Sequence, residues 1–130
     1  MITNEGIGFL LEAAVTRQGL RLHLFANDAE VSHSITSEDV TECKGYGYAP
    51  IALKPSGWVR KGTSASYPDQ TFLFTGKVGR VYGSYITNAE GAIIQAHKFE
   101  VPFQGSNNGD KLHVGVRIDL RNKLFASEAA

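Results

Sequence analysis

Apolar and polar positions alternate with a two-residue period over much of this chain. The clearest case is near the end, where Leu112, Val114, Val116, Ile118 and Leu120 point one way and His113, Gly115, Arg117, Asp119 and Arg121 the other. Five alternations in a row leave little room for a helix. Leu20, Leu22 and Leu24 alternate with Arg21 and His23, which predicts a second half-buried strand. The block Tyr67 to Glu100 is dense in β-formers and reads as a three-stranded antiparallel meander. Its strands are Thr71–Thr75, Val81–Thr87 and Ala92–Phe99, joined by turns at Gly76–Gly79 and Asn88–Gly91. One stretch has another period. Ile7, Leu10, Leu11, Ala14 and Val15 recur at helical spacing after a cap at Thr3 or Asn4, and Arg17-Gln18-Gly19 closes the pattern. That predicts a helix over about 4–17, plugging one end of the sheet.

The remaining segments are shorter. Residues 29 to 43 are polar with scattered Val31, Ile35 and Val40, and predict a long surface loop with one helical turn at Ser37-Glu38-Asp39. Loops of that length in compact domains are usually functional or partner-bound. Ile51–Lys54 and Trp58–Lys61 predict short strands, with Pro50 at a strand start and a flexible loop at Gly62–Ser66. Gln104–Asp110 is the strongest turn cluster. Seven or eight short strands without a βαβ rhythm predict an all-β fold, an antiparallel two-sheet sandwich of jelly-roll-like type with one short N-terminal helix. Residues 1–130 form a single domain in this reading. Residues 122–130 form a C-terminal arm, whose Leu124 and Phe125 are apolar beads on a polar end.

Charge narrows the partners. Thirteen Lys and Arg balance thirteen Asp and Glu. A protein living on phosphate contacts needs a basic surplus, so neither nucleic acid nor an anionic membrane surface is expected. No run of 18 apolar residues exists, and Met1–Glu5 lacks the positive start of a signal peptide. The single cysteine, Cys43, rules out an intrachain disulfide and reads as a small buried hydrophobe.

Catalytic and metal signatures are sparse. His23, His33, His97 and His113 have no zinc spacing, although the three on strands can converge in space. The acidic loop Asp28, Glu30, Glu38, Asp39 and Glu42 lacks the oxygen ladder of a calcium site. Ser84 has no nucleophile elbow and Gly76-Lys77 no phosphate loop. The expectation is therefore no enzyme, no metal and no cofactor. The aromatics Tyr46, Tyr48, Trp58, Tyr67, Tyr82 and Tyr85 are more informative: they form either core and sheet surface or a stacking platform for a sugar or protein. Tyr46, Tyr48, Trp58, Leu124 and Phe125 are the candidate interface residues.

A longer pattern runs through the chain. It comprises Ile2-Thr3-Asn4-x-Gly6 with Leu10-Leu11, Leu22-x-Leu24-Phe25-x-Asn27-Asp28, Gly45-Tyr46, Trp58, and Tyr67-Pro68-x-Gln70-Thr71-Phe72-x-Phe74-Thr75. Val81-Tyr82-Gly83-x-Tyr85-Ile86-Thr87-Asn88 with Gly91, and Gly109-Asp110-x-Leu112-x-Val114, complete it. Together these resemble small structural proteins of tailed bacteriophages that decorate or cement the capsid. The pattern consists of fold-forming residues. The resemblance implies a compact β domain that binds as an oligomer, commonly a homotrimer, across joints between major capsid protein subunits. It implies assembly in the host cytoplasm and a place on the capsid exterior of the virion. A tail or fibre module binding carbohydrate or a receptor is the alternative that the same pattern leaves open.

Overall fold

The computed structural model describes residues 1–120. One helix, α1 (Asn4–Val15), precedes seven strands: β1 (Arg21–Phe25), β2 (Ile51–Ala52), β3 (Val59–Lys61), β4 (Ser64–Leu73), β5 (Gly79–Thr87), β6 (Ile93–Gly105) and β7 (Lys111–Asp119). They form two antiparallel sheets, ordered β2-β1-β5-β6 and β3-β4-β7. The all-β sandwich with one short helix is thus the observed architecture. Its core lies between the sheets. Leu22, Leu24, Val81 and Ile86 come from one side, and Ala65, Phe72, Val114, Val116 and Ile118 from the other.

The helix starts where the sequence predicts. Thr3 Oγ1 accepts a hydrogen bond from Gly6 N–H at 3.0 Å, and Glu5 sits in the positive first turn. It ends at Val15, short of residue 17, with the Thr16 hydroxyl donating to Glu12 O at 2.8 Å. Ile7, Leu11 and Val15 are buried. Leu10, expected on that face, is 48% exposed because the inner stripe is narrower than the sequence pattern. Gly19, four positions beyond the helix, is in the left-handed region, and a Cβ there would sit 2.7 Å from Ala89 Cβ. It lets the β5–β6 turn lie against the chain as it leaves the helix.

The meander is corrected. β4 pairs with β3 and β7, whereas β5 pairs with β1 and β6. Only β5–β6 is a hairpin of the kind expected. Between β4 and β5 the chain crosses from one sheet to the other. The crossing is fixed by Phe74, whose side chain is fully buried and whose backbone is held by Asp110 O and Gly109 N–H. Apolar faces of β4 and β5 therefore oppose each other across the core. The expected loop at Gly62–Ser66 is also different. Lys61 pairs with Ser64, so Gly62-Thr63 is a two-residue hairpin turn, with Gly62 at φ +61° in its first position.

A second, smaller core lies on the outer face of the four-stranded sheet. Phe25, Ala29 and Tyr85 are buried there, with Val40 packed against them. The long loop after β1 covers this face and is pinned at both ends. Asn27 Oδ1 accepts from Thr41 N–H at 2.8 Å, Asn27 Nδ2 donates to Asp39 O at 2.9 Å, and Cys43 N–H donates to Leu24 O at 3.0 Å. Ser37–Asp39 forms a turn within it, with the Asp39 carboxylate accepting from Thr36 N–H.

Candidate functional site

Beneath that loop, strand register sets four polar or aromatic side chains on one face. Arg21 is directly opposite Thr87 and His23 directly opposite Tyr85 across the β1–β5 pair. Residues paired in this way project to the same side of a sheet. The His23 and Tyr85 rings stack, with centroids 4.7 Å apart and planes within 8°. The loop returns Glu42 to this spot through a bridge between Glu42 and Phe25. His23 Nδ1 lies 2.7 Å from Glu42 Oε2, and His23 Nε2 lies 2.8 Å from Thr87 Oγ1. The Tyr48 hydroxyl donates to the same Glu42 oxygen at 2.6 Å and accepts from Leu24 N–H at 3.0 Å.

These bonds determine the histidine tautomer. A carboxylate only accepts, so Nδ1 carries the proton that faces Glu42. In the neutral ring Nε2 is then an acceptor for the Thr87 O–H. The result is a hydroxyl–imidazole–carboxylate relay. It opens onto a pocket of about 460 Å³ whose walls include Arg21, Ser37 and Asn88. Burial raises the Tyr48 hydroxyl's pKa, its hydrogen bond to Glu42 adds to that, and it stays protonated as a donor. Burial, then the Glu42 charge, push the Tyr85 phenol up to about 12. The same two causes, in the same order, push the adjacent Cys43 thiol up to about 11. Cys43 is buried, as the sequence implied.

The histidines do not converge. His97 is on β6, edge-on to Phe99, and His113 is on the other sheet, 2.8 Å from Thr71 Oγ1. Among the described residues, no group of three or more His, Cys, Asp and Glu side chains is arranged to hold a metal ion. The acidic loop is also put to structural use, since Asp28 pairs with Lys98 and Glu42 with His23.

The aromatic candidates separate. Tyr48 is half-buried, stacks near Phe72 and serves the relay. Trp58 packs against the main core, edge-on to Tyr67 at 5.2 Å. Tyr46 is 54% exposed and strained. Its φ is +54°, and it stands between Gly45 at +77° and Gly47 at +82°. A left-handed conformation costs a residue with a Cβ about 1–2 kcal/mol. The loop is anchored by Thr75 N–H donating to Tyr46 O at 2.8 Å, and the Tyr46 ring rests against Gly76, where a Cβ would come within 2.6 Å of it. Leu124 and Phe125 lie outside the described residues. Elsewhere, Phe9 on the outer face of α1 is 72% exposed.

The relay is not legible in the sequence. Its signal was the pair Arg21-x-His23 and Tyr85-x-Thr87, each with a two-residue period, but pairing them requires the β1–β5 register. In comparisons with known proteins, no family model, no curated protein and no solved structure matches the chain.

Proposed function

We propose that this chain is a structural protein of a tailed-bacteriophage virion, a capsid cement or decoration module. It binds between major capsid protein subunits on the shell exterior, as a homotrimer, and acts by the contact area it adds. The observation that carries the reading is Tyr46, a large ring held exposed on a strained loop. Strain of this kind persists where surrounding structure enforces it, and it clusters at functional positions. Tyrosine is also among the side chains that supply most interface energy. The resemblance of the fold-forming residues supplies the partner. Because such a module binds only the assembled state, it stabilises the shell by mass action.

The test mixes the purified protein with purified capsid shells and measures the amount that sediments with them. Binding is expected, with Tyr46→Ala weakening it at least about tenfold. Failure of the wild-type protein to associate with shells would overturn the proposal. Tyr46 is also the residue to vary in a glycan-array test of the tail or fibre alternative. Trp58→Ala cannot serve there, because removing a ring packed on the core unfolds or loosens the domain by about 2–4 kcal/mol.

A further inference from the structure

We propose that Thr87, His23 and Glu42 form an acyl-transfer site that hydrolyses small esters, independent of the docking function. The geometry meets the requirements in turn. A nucleophile and base must be within hydrogen-bond reach, and the base must be held by a third group. Thr87 Oγ1 and His23 Nε2 are 2.8 Å apart, and His23 Nδ1 and Glu42 Oε2 are 2.7 Å apart. Glu42 is itself fixed by Tyr48, and the imidazole plane by stacking on Tyr85. Thr87 is only 5% exposed, yet it lines the pocket together with His23 and Glu42. Its strand partner Arg21 is exposed and lines the same pocket, and in the proposed site its guanidinium is the positive group that would meet the charge building on an acyl oxygen. Here Arg21 takes the part that backbone N–H groups play in other acyl-transfer sites.

The reaction runs in two balanced steps. In the first, Thr87 Oγ forms a bond to the acyl carbon as its proton passes to His23 Nε2, and the carbonyl oxygen becomes an oxyanion facing Arg21. Collapse breaks the bond to the alkoxy oxygen, which takes the proton from the imidazolium and leaves as the alcohol. In the second, His23 accepts a proton from water, the hydroxide adds to the acyl carbon, and the bond to Thr87 Oγ breaks as the proton returns to that oxygen. The products are a carboxylic acid and regenerated Thr87. A pocket of about 460 Å³ suits a short acyl chain such as acetyl on a hydroxylated carrier. Glu42 is a positioning residue, whereas Thr87, His23 and Arg21 touch the reacting atoms.

The probe is p-nitrophenyl acetate, with release of nitrophenolate followed under single-turnover conditions and the protein's mass measured after quenching. An acetyl adduct is expected on the peptide containing Thr87. Thr87→Val and His23→Gln should each lower the rate at least about 100-fold. Thr87→Ser is expected to keep or raise the rate, because it retains the hydroxyl and removes the methyl beside it. Circular dichroism of each variant checks that the fold survives. If Thr87→Val does not fold, the position of the adduct in the wild-type protein still decides. Absence of an adduct on Thr87, or turnover that Thr87→Val leaves unchanged, would overturn the assignment. Neither result bears on shell binding, which is read by sedimentation.

Discussion

At Tyr46 two small terms oppose each other. Its left-handed backbone costs about 1–2 kcal/mol, and the part of its ring against Gly76 returns a similar amount by burial. Tyr46→Asn keeps a residue that tolerates this conformation and removes the ring. It should leave the unfolding free energy from urea titration within about 0.5 kcal/mol of wild type while shell binding drops about tenfold. A loss of more than about 2 kcal/mol would make Tyr46 a folding residue. Cys43 behaves in the opposite way. Its thiol, pushed up to about 11 by burial and the Glu42 charge, stays protonated in the native protein past the ordinary value of 9.0. The unfolded chain ionises first, so stability should fall as pH rises from about 9 to 11. Tyr85, pushed up to about 12 from 10.0, extends the loss in the same direction. Urea titrations at several pH values should show a shallower decline in Cys43→Ala. At neutral pH a thiol reagent should modify Cys43 only on unfolding.

Among the elements, the middle of β5 is the most demanding. A Cβ at Gly83 would meet His97 O at 2.2 Å and the Phe25 ring at 2.5 Å, because Phe25 crosses over β5 to reach the second core. Since one obstacle is backbone, Gly83→Ala should cost at least about 3 kcal/mol, read as a large fall in melting temperature. Gly115→Ala, whose nearest neighbour would be Asp69 Oδ1 at 3.7 Å, is the matched control and should be tolerated. These contrasts show what was legible in the chain. The β7 alternation is plain because Val114, Val116 and Ile118 face one core while His113, Gly115 and Arg117 face solvent. For β1, Leu22 and Leu24 are equally plain. Partner choice was not legible, because Phe72 and Val81 look alike whether they share a sheet or oppose one another. The relay stayed hidden for a related reason: Glu42 lies in a polar loop and meets His23 only after that loop folds back.

On the scale of the whole molecule, the core residues among the described part of the chain run from Leu11 to Ile118. Leu124 and Phe125 follow the alternating run of β7 in the sequence, so removing residues 122–130 should leave the melting temperature of the isolated domain nearly unchanged while weakening its assembly. A collapse of the truncated domain on heating would instead place the arm within the fold. The two sheets meet along their free edges, where the Gln95 side chain of β6 donates to Arg117 O of β7. The relay occupies the outer face of the four-stranded sheet and is joined to Tyr46's loop through the Tyr48 hydroxyl, which donates to Glu42.

The pairing of β4 with β7 ties Ser64 to Asp119. A ribosome must therefore deliver almost the entire described chain before the smaller sheet gains its last member. A nascent polypeptide arrested after Gly105 would carry all four strands of one layer and a lone hairpin of the other, with the apolar row of β4 wet. Such an intermediate is the one that chaperones should bind and that crowded synthesis should aggregate, and slowing translation just upstream of β7 is the manipulation to which the yield of native protein should respond most.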